Sequence, residues 1–119
     1  ANNDILVIAM IEDKEGIAAL EDIVQVEGLD MIIEGAADLS QYFGIPWETT
    51  SDTVQSALRY MHDVTQTADK YFCALPRDTA QQKMWFQRGV NAFVLGDERG
   101  KLYRHLKSEL SVHKGAHTT

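Results

Sequence analysis

Basic residues are scarce in this chain. Eleven Lys and Arg stand against eighteen Asp and Glu, for a formal charge of −7. Nucleic acids are gripped by clustered Lys and Arg that displace counterions from phosphates. No such stripe exists, so a nucleic-acid partner is excluded. Cysteine is nearly absent too. The single Cys73 rules out an intrachain disulfide, and nothing in the cysteine usage points to export. The opening ANNDILVIAM lacks the charged n-region and cleavage pattern of a signal peptide. The longest apolar run, Ile5 to Ile11, has seven residues, far short of the roughly 20 that span a bilayer. The expectation is a soluble cytoplasmic protein with no membrane partner. A length of 119 residues with 45% hydrophobic content is enough for a packed core.

Four short apolar runs organise the chain: Ile5–Ile11, Leu29–Ile33, Tyr71–Leu75 and Ala92–Leu95. They are rich in β-formers and mostly do not alternate with polar residues, the pattern of parallel strands buried on both faces. A helical pattern follows each run. After the first come Ile17, Leu20 and Ile23/Val24, with Gly28 placed to end the helix. After the second, Asp52 is the expected N-cap of a helix with Val54, Leu58, Met61 and Thr65 on one stripe. After the third, Asp78 caps a helix carrying Gln81, Met84 and Trp85, closed by Gly89. After the fourth, Leu102, Leu106 and Leu110 recur at i+4 through residues 100–112, with Tyr103 beside them. That stripe needs an apolar surface to bury against. The polar tail, residues 113–119, is expected to fray.

The order β-α-β-α-β-α-β-α runs through residues 1–119 without a linker, so one α/β domain is expected. Four such units are half of a (β/α)₈ TIM barrel, which takes about 250 residues. The rival at this length is a receiver-like signalling domain, because Glu12 and Asp13 end the first strand as a receiver's acidic pair does. A receiver also needs an Asp ending its third strand and a Lys ending its fifth. Here the third ends in Leu75-Pro76-Arg77, and there is no fifth.

Parallel α/β barrels carry their chemistry at the C-terminal ends of the strands. Carboxylates occur at each of these positions: Glu12-Asp13, Glu34 to Asp38, Asp78, and Asp97-Glu98. Glu12 and Asp38 form the pair of interest. Neighbouring parallel strands lie about 4.8 Å apart, so two carboxylates there could share one hard divalent cation, with waters completing the shell. The competing reading is that either one caps the following helix. Gly35-Ala36-Ala37 is a small-residue turn whose backbone N–H groups suit a carboxylate or phosphate. Arg77 could meet an anion or could simply be solvated. Cys73, Trp85, Phe86 and Tyr103 read as packing residues. His62, His105, His113 and His117 read as surface residues rather than ligands or bases.

The stretch from Met10 to Gly44 closely resembles the 2,4-dihydroxyhept-2-ene-1,7-dioate and 2-dehydro-3-deoxyglucarate aldolases. The residues that carry the resemblance are Ile11-Glu12, Glu15-Gly16, Gly28-Leu29-Asp30 and Gly35-Ala36-Ala37-Asp38-Leu39-Ser40. Weaker similarity continues through Ala80-Gln81-Gln82 and Gly89-Val90-Asn91-Ala92. The resemblance implies the C-terminal half of a TIM-barrel aldolase. It also implies carbon–carbon bond chemistry on a 2-keto acid, pyruvate or oxaloacetate, through an enolate stabilised by Mg²⁺ or Mn²⁺. Glu12 and Asp38 would be the metal ligands, and Gly35, Ala36 and Ala37 would bind the substrate carboxylate. The family's catalytic His and substrate-binding Arg belong to the barrel's first half, so this segment by itself is expected to be inactive; a non-catalytic barrel fragment is the remaining alternative. Ala36 replaces the family's usual proline, and Glu34 precedes the glycine. With Ile45-Pro46-Trp47 and the Leu95–Gly100 loop, these features resemble the siderophore-associated citrate synthases, which condense oxaloacetate with acetyl-CoA. The family's last helix packs on a neighbouring subunit, which implies a homo-oligomer: a swapped dimer within a hexamer.

Overall fold

The computed structural model describes residues 2–116. After a 3₁₀ turn at Asn2–Asp4 come strand β1 (Ile8–Ile11) and short helices α1 (Lys14–Ala18) and α2 (Leu20–Ile23). Strand β2 (Met31–Glu34) leads into α3 (Ala36–Tyr42) and the long α4 (Asp52–Thr67). Strand β3 (Tyr71–Ala74), α5 (Thr79–Gln87), β4 (Ala92–Phe93) and α6 (Glu98–Ala116) complete the described chain. All strands are parallel and lie in the order β1-β2-β3-β4, with Ile11 opposite Glu34, Ile33 opposite Cys73 and Ala74 opposite Phe93. A receiver-like sheet places its first strand inside the sheet, in the order 2-1-3-4-5. The sequential order seen here is that of a barrel segment, and it removes the signalling alternative.

Crossovers between neighbouring parallel strands are overwhelmingly right-handed, so a sequential order sends the helices to one face. On that face Leu20, Val24, Ile32, Leu39, Leu58, Met61 and Trp85 are buried in one cluster. The α4 stripe expected from its spacing (Val54, Leu58, Met61, Thr65) is buried throughout, and His62 joins it. The imidazole packs against Phe72 and Trp85 at ring-centroid distances of 5.6 Å. His62 is therefore a core residue and not the surface residue its sequence context suggested.

The structure corrects three further details. Burial on both faces holds for β3, where Phe72, Cys73 and Ala74 are buried, but not for β1, where Ile8 and Met10 are exposed. Among the described residues helices cover only one side of the sheet, and β1 has no second neighbour. Ser51, not Asp52, is the N-cap of α4: its extended backbone lets Oγ accept from the Val54 N–H at 3.4 Å. Finally, α6 continues to Ala116 through residues expected to fray; His117 and the two threonines after it lie outside the described residues.

Candidate active site

The carboxylates at the strand ends fall into two groups. Asp13, Asp78 and Asp97 each accept a hydrogen bond from a backbone N–H three residues on: Gly16 at 2.6 Å, Gln81 at 2.8 Å and Gly100 at 2.6 Å. They satisfy otherwise unpaired amides of first helical turns. The Gly100 amide holds the Asp97 carboxyl below its ordinary range. Glu12 has no such role, because the neighbouring Asp13 caps α1. Asp38 sits in the first turn of α3, whose N-cap is Gly35, and its side chain meets Gln41 Nε2 at 3.5 Å. Helix capping thus accounts for the neighbours of Glu12 and leaves Glu12 and Asp38 for other work.

The ends of β1 and β2 are pressed together. A Cβ added to Gly35 would lie 2.4 Å from Glu12 Cβ and 3.3 Å from Glu12 Oε2. Glycine is required here because its missing side chain leaves the space that the Glu12 carboxylate and its stem occupy. Glu12 therefore stands over the N-terminus of α3, the helix that carries Asp38. Of the turn expected to bind a carboxylate, the Gly35 N–H is committed to Ile11 O at 3.0 Å. The Ala36 N–H favours the charged form of Glu34. Ala37 lies in the first turn, where amides lack intrahelical acceptors. No group of three or more His, Cys, Asp or Glu able to hold a metal occurs among the described residues. Glu12 and Asp38, two carboxylates without capping duties, are hard oxygen donors of the kind a cation takes when it keeps most of its shell for water and substrate.

Glu34 was not singled out as a site residue, yet it is the most deeply placed charge at this end of the sheet, 1% exposed. Its Oε1 accepts from the Leu75 N–H at 2.7 Å, tying β2 to the residue after β3. Its Oε2 has no hydrogen bond and lies 3.8 Å from Arg77 Nη1. Burial pushes the Glu34 carboxyl above its ordinary value, opposed by the Leu75 amide, Arg77 and the Ala36 amide. Arg77 Nη1 also donates to Leu75 O. Cys73 is buried one strand over, and burial together with the Glu34 charge pushes its thiol up, as befits a packing residue. None of the described histidines stands at these strand ends: His62 is in the core, and His105 and His113 are on α6. The fixed links at the rim are Ser40 Oγ, which donates to Ala37 O at 2.6 Å and accepts from the Trp47 N–H at 2.9 Å. They hold the 43–51 connection onto α3.

Comparison with known proteins agrees with this fold. Residues 1–105 match the family model described as HpcH/HpaI aldolase/citrate lyase. Hydroxypyruvate/pyruvate aldolases from Chromohalobacter salexigens and Pseudomonas aeruginosa are 27% and 28% identical over 115 residues, covering 97% of this chain and 45% and 43% of theirs. The crystal structure of citrate synthase SbnG superposes with a TM-score of 0.94 at 52% identity, over 99% of this chain and 48% of that one. The HpcH/HpaI aldolase from Desulfitobacterium hafniense DCB-2 shares the fold, with a TM-score of 0.88 at 21% identity over 95% of this chain and 44% of that one. The chain spans about half the length of the relatives it matches, and four sequential parallel strands are half of a (β/α)₈ barrel. It belongs to the HpcH/HpaI aldolase/citrate lyase family.

Proposed function

We propose that the protein makes or breaks a carbon–carbon bond at a 2-keto acid, with residues 1–119 forming the C-terminal half of its one barrel domain. The observation that carries this reading is the close approach of Glu12 to Gly35, which sets Glu12 over the N-terminus of the helix bearing Asp38. Glu12 and Asp38 would hold Mg²⁺ or Mn²⁺. Such a cation, when bound, supplies Lewis-acid stabilisation of enolate charge on the keto oxygen. The amide of Ala37, with no side chain on Gly35 and only a methyl on Ala36, would admit and orient the substrate carboxylate. The general base and the substrate-binding arginine would come from outside residues 1–119. Among 2-keto acid reactions, the 52% identity with citrate synthase SbnG favours condensation of oxaloacetate with acetyl-CoA, in the siderophore-associated branch, over cleavage of a sugar acid.

An oligomer is part of the proposal. The stripe Leu102, Leu106 and Leu110 is exposed on α6, and an apolar helix face seeks cover. A second copy of the protein would supply it. The decisive test is binding and turnover in the full-length protein. Asp38→Asn is expected to lose Mn²⁺ binding in calorimetry and to lose citrate formation from oxaloacetate and acetyl-CoA. Unchanged Mn²⁺ affinity would refute the metal assignment. Citrate formation that survives EDTA while still failing in Asp38→Asn would keep the site and discard the cation. A full-length protein without turnover on any 2-keto acid would favour a non-catalytic barrel.

A further inference from the structure

A cleft of about 510 Å³ opens at the C-terminal ends of β3 and β4, beside the site already described. Its walls are apolar, with Trp47, Leu75, Val94 and Leu95, and two cations line it, Arg77 and Arg104. The arginines come from different elements, the β3–α5 connection and helix α6. The Arg77 side chain is 35% exposed; besides donating to Leu75 O it keeps further N–H groups of its planar fork. Behind it stands Glu34, fully buried, with Oε2 lacking a hydrogen bond and directed at the guanidinium from 3.8 Å. Arg104 lies across the turn at the start of α6: Cβ atoms added to Gly96 and Gly100 would fall 3.7 Å and 3.2 Å from its guanidinium nitrogens. Among the described residues one acid lines the cleft, Asp97, which accepts from the Gly100 N–H and feels the charge of Arg104.

We infer that this cleft is an oxyanion subsite, in which Arg77 and Arg104 clamp a carboxylate or phosphate group of a reactant and the buried carboxylate of Glu34 positions Arg77. Each guanidinium has one carboxylate beside it, Glu34 for Arg77 and Asp97 for Arg104, and the donors left over on two forked Arg groups lining one cleft suit a planar oxyanion. The cleft is one strand step from the turn that carries Asp38, about 5 Å, and Glu34 bridges the two directly through Leu75. A reactant held at Glu12 and Asp38 by its keto-acid end would reach Arg77 with its far end. The inference rests on the 2-keto acid reading for the identity of that reactant.

The test is calorimetric binding to the full-length protein in Mg²⁺, with freshly dissolved oxaloacetate, 2-oxobutyrate and acetyl-CoA as probes. Oxaloacetate and 2-oxobutyrate share the keto-acid end and the carbon count and differ in the distal carboxylate. Arg77→Met and Arg104→Met are each expected to weaken oxaloacetate about ten- to hundredfold and to leave 2-oxobutyrate unchanged. Weakening confined to acetyl-CoA would support the same subsite with phosphate as its oxyanion. Equal effects on all three probes, or none, would overturn it. Glu34→Gln is expected to weaken the same probe, and to add nothing in the Arg77→Met background; an additive effect would show a structural role and overturn the positioning claim. Arg104 is on an exposed helix, so its variant remains informative if Arg77→Met folds poorly. If the unsubstituted protein binds none of the probes, the 2-keto acid reading fails and takes the subsite with it. Binding that all the arginine variants retain fails the subsite alone.

Discussion

Glu34 offers a sharp test of how this end of the sheet is held together. Its carboxyl ordinarily titrates near 4.5, and in the folded protein burial raises that value. Below 4.5 the group is protonated in the folded and unfolded states alike and does not affect their balance. As pH rises past 4.5 the unfolded chain ionises first while the folded protein keeps its proton, so stability falls until pH passes the folded-state value. Glu34→Gln removes this loss and keeps an oxygen for the Leu75 N–H. Its stability relative to the unsubstituted protein is therefore expected to grow as pH rises from 4.5. Glu34→Ala also removes the charge, but it strips the acceptor from the Leu75 amide, now 2.7 Å from Glu34 Oε1, and leaves a void. An unpaired amide costs about 1–3 kcal/mol and the void adds on the order of 1 kcal/mol. The Ala variant should thus be about 2–4 kcal/mol less stable than the Gln variant at every pH. Urea denaturation between pH 4.5 and 8 measures both differences. Equal stability of the two variants, or a pH slope that Gln does not alter, would refute the account.

Two further variants probe other features. Gly35→Ala would set a Cβ 2.4 Å from Glu12 Cβ and spread the ends of β1 and β2; a loss of about 1–3 kcal/mol is expected, and an unchanged thermal midpoint would contradict the close approach. Leu106→Asp, on a helix face exposed within this chain, should leave the fold's circular dichroism intact while shifting the full-length protein to smaller species in light scattering; unchanged mass would remove α6 from any subunit interface.

Local patterns in the sequence were sufficient for some features and silent on others. The four strands, the α4 stripe and the Asp78 cap follow from spacing within a few residues, where period and capping chemistry operate directly. The α4 cap was misplaced by one residue because Ser51 and Asp52 can both cap, and only the extended backbone at Ser51 decides between them. Glu34 is hidden from local patterns for a different reason. Its burial comes from pairing with Leu75 and Arg77, more than forty positions along the chain, and no local period records such a contact. A sequence signal did exist: a Glu ends an apolar strand where the related aldolases lead straight into the glycine turn. The apolar run outlasts strand β1 because Ile5, Leu6 and Val7 are as apolar as a strand requires, yet they lie exposed ahead of it.

The same contrast explains why counting acids at strand ends overstates a metal site. Helices that start just after strands need acceptors for their first amides, so short acids collect at the rim for reasons of folding alone. Asp13, Asp78 and Asp97 meet that need, each through a hydrogen bond to a position three residues on. Glutamate is a poorer cap because its longer stem carries the carboxylate past the amide it would have to accept from. In the Glu12-Asp13 pair the shorter acid caps α1 and the longer one reaches across to Gly35. Residue type thus divides the work at adjacent positions: Asp13 holds the helix, and Glu12 is left to face the turn that carries Asp38. An exchange of the two types would cost the cap and empty the space over Gly35 together, which is why the order Glu-Asp, and not the mere presence of two acids, carries the information about this site.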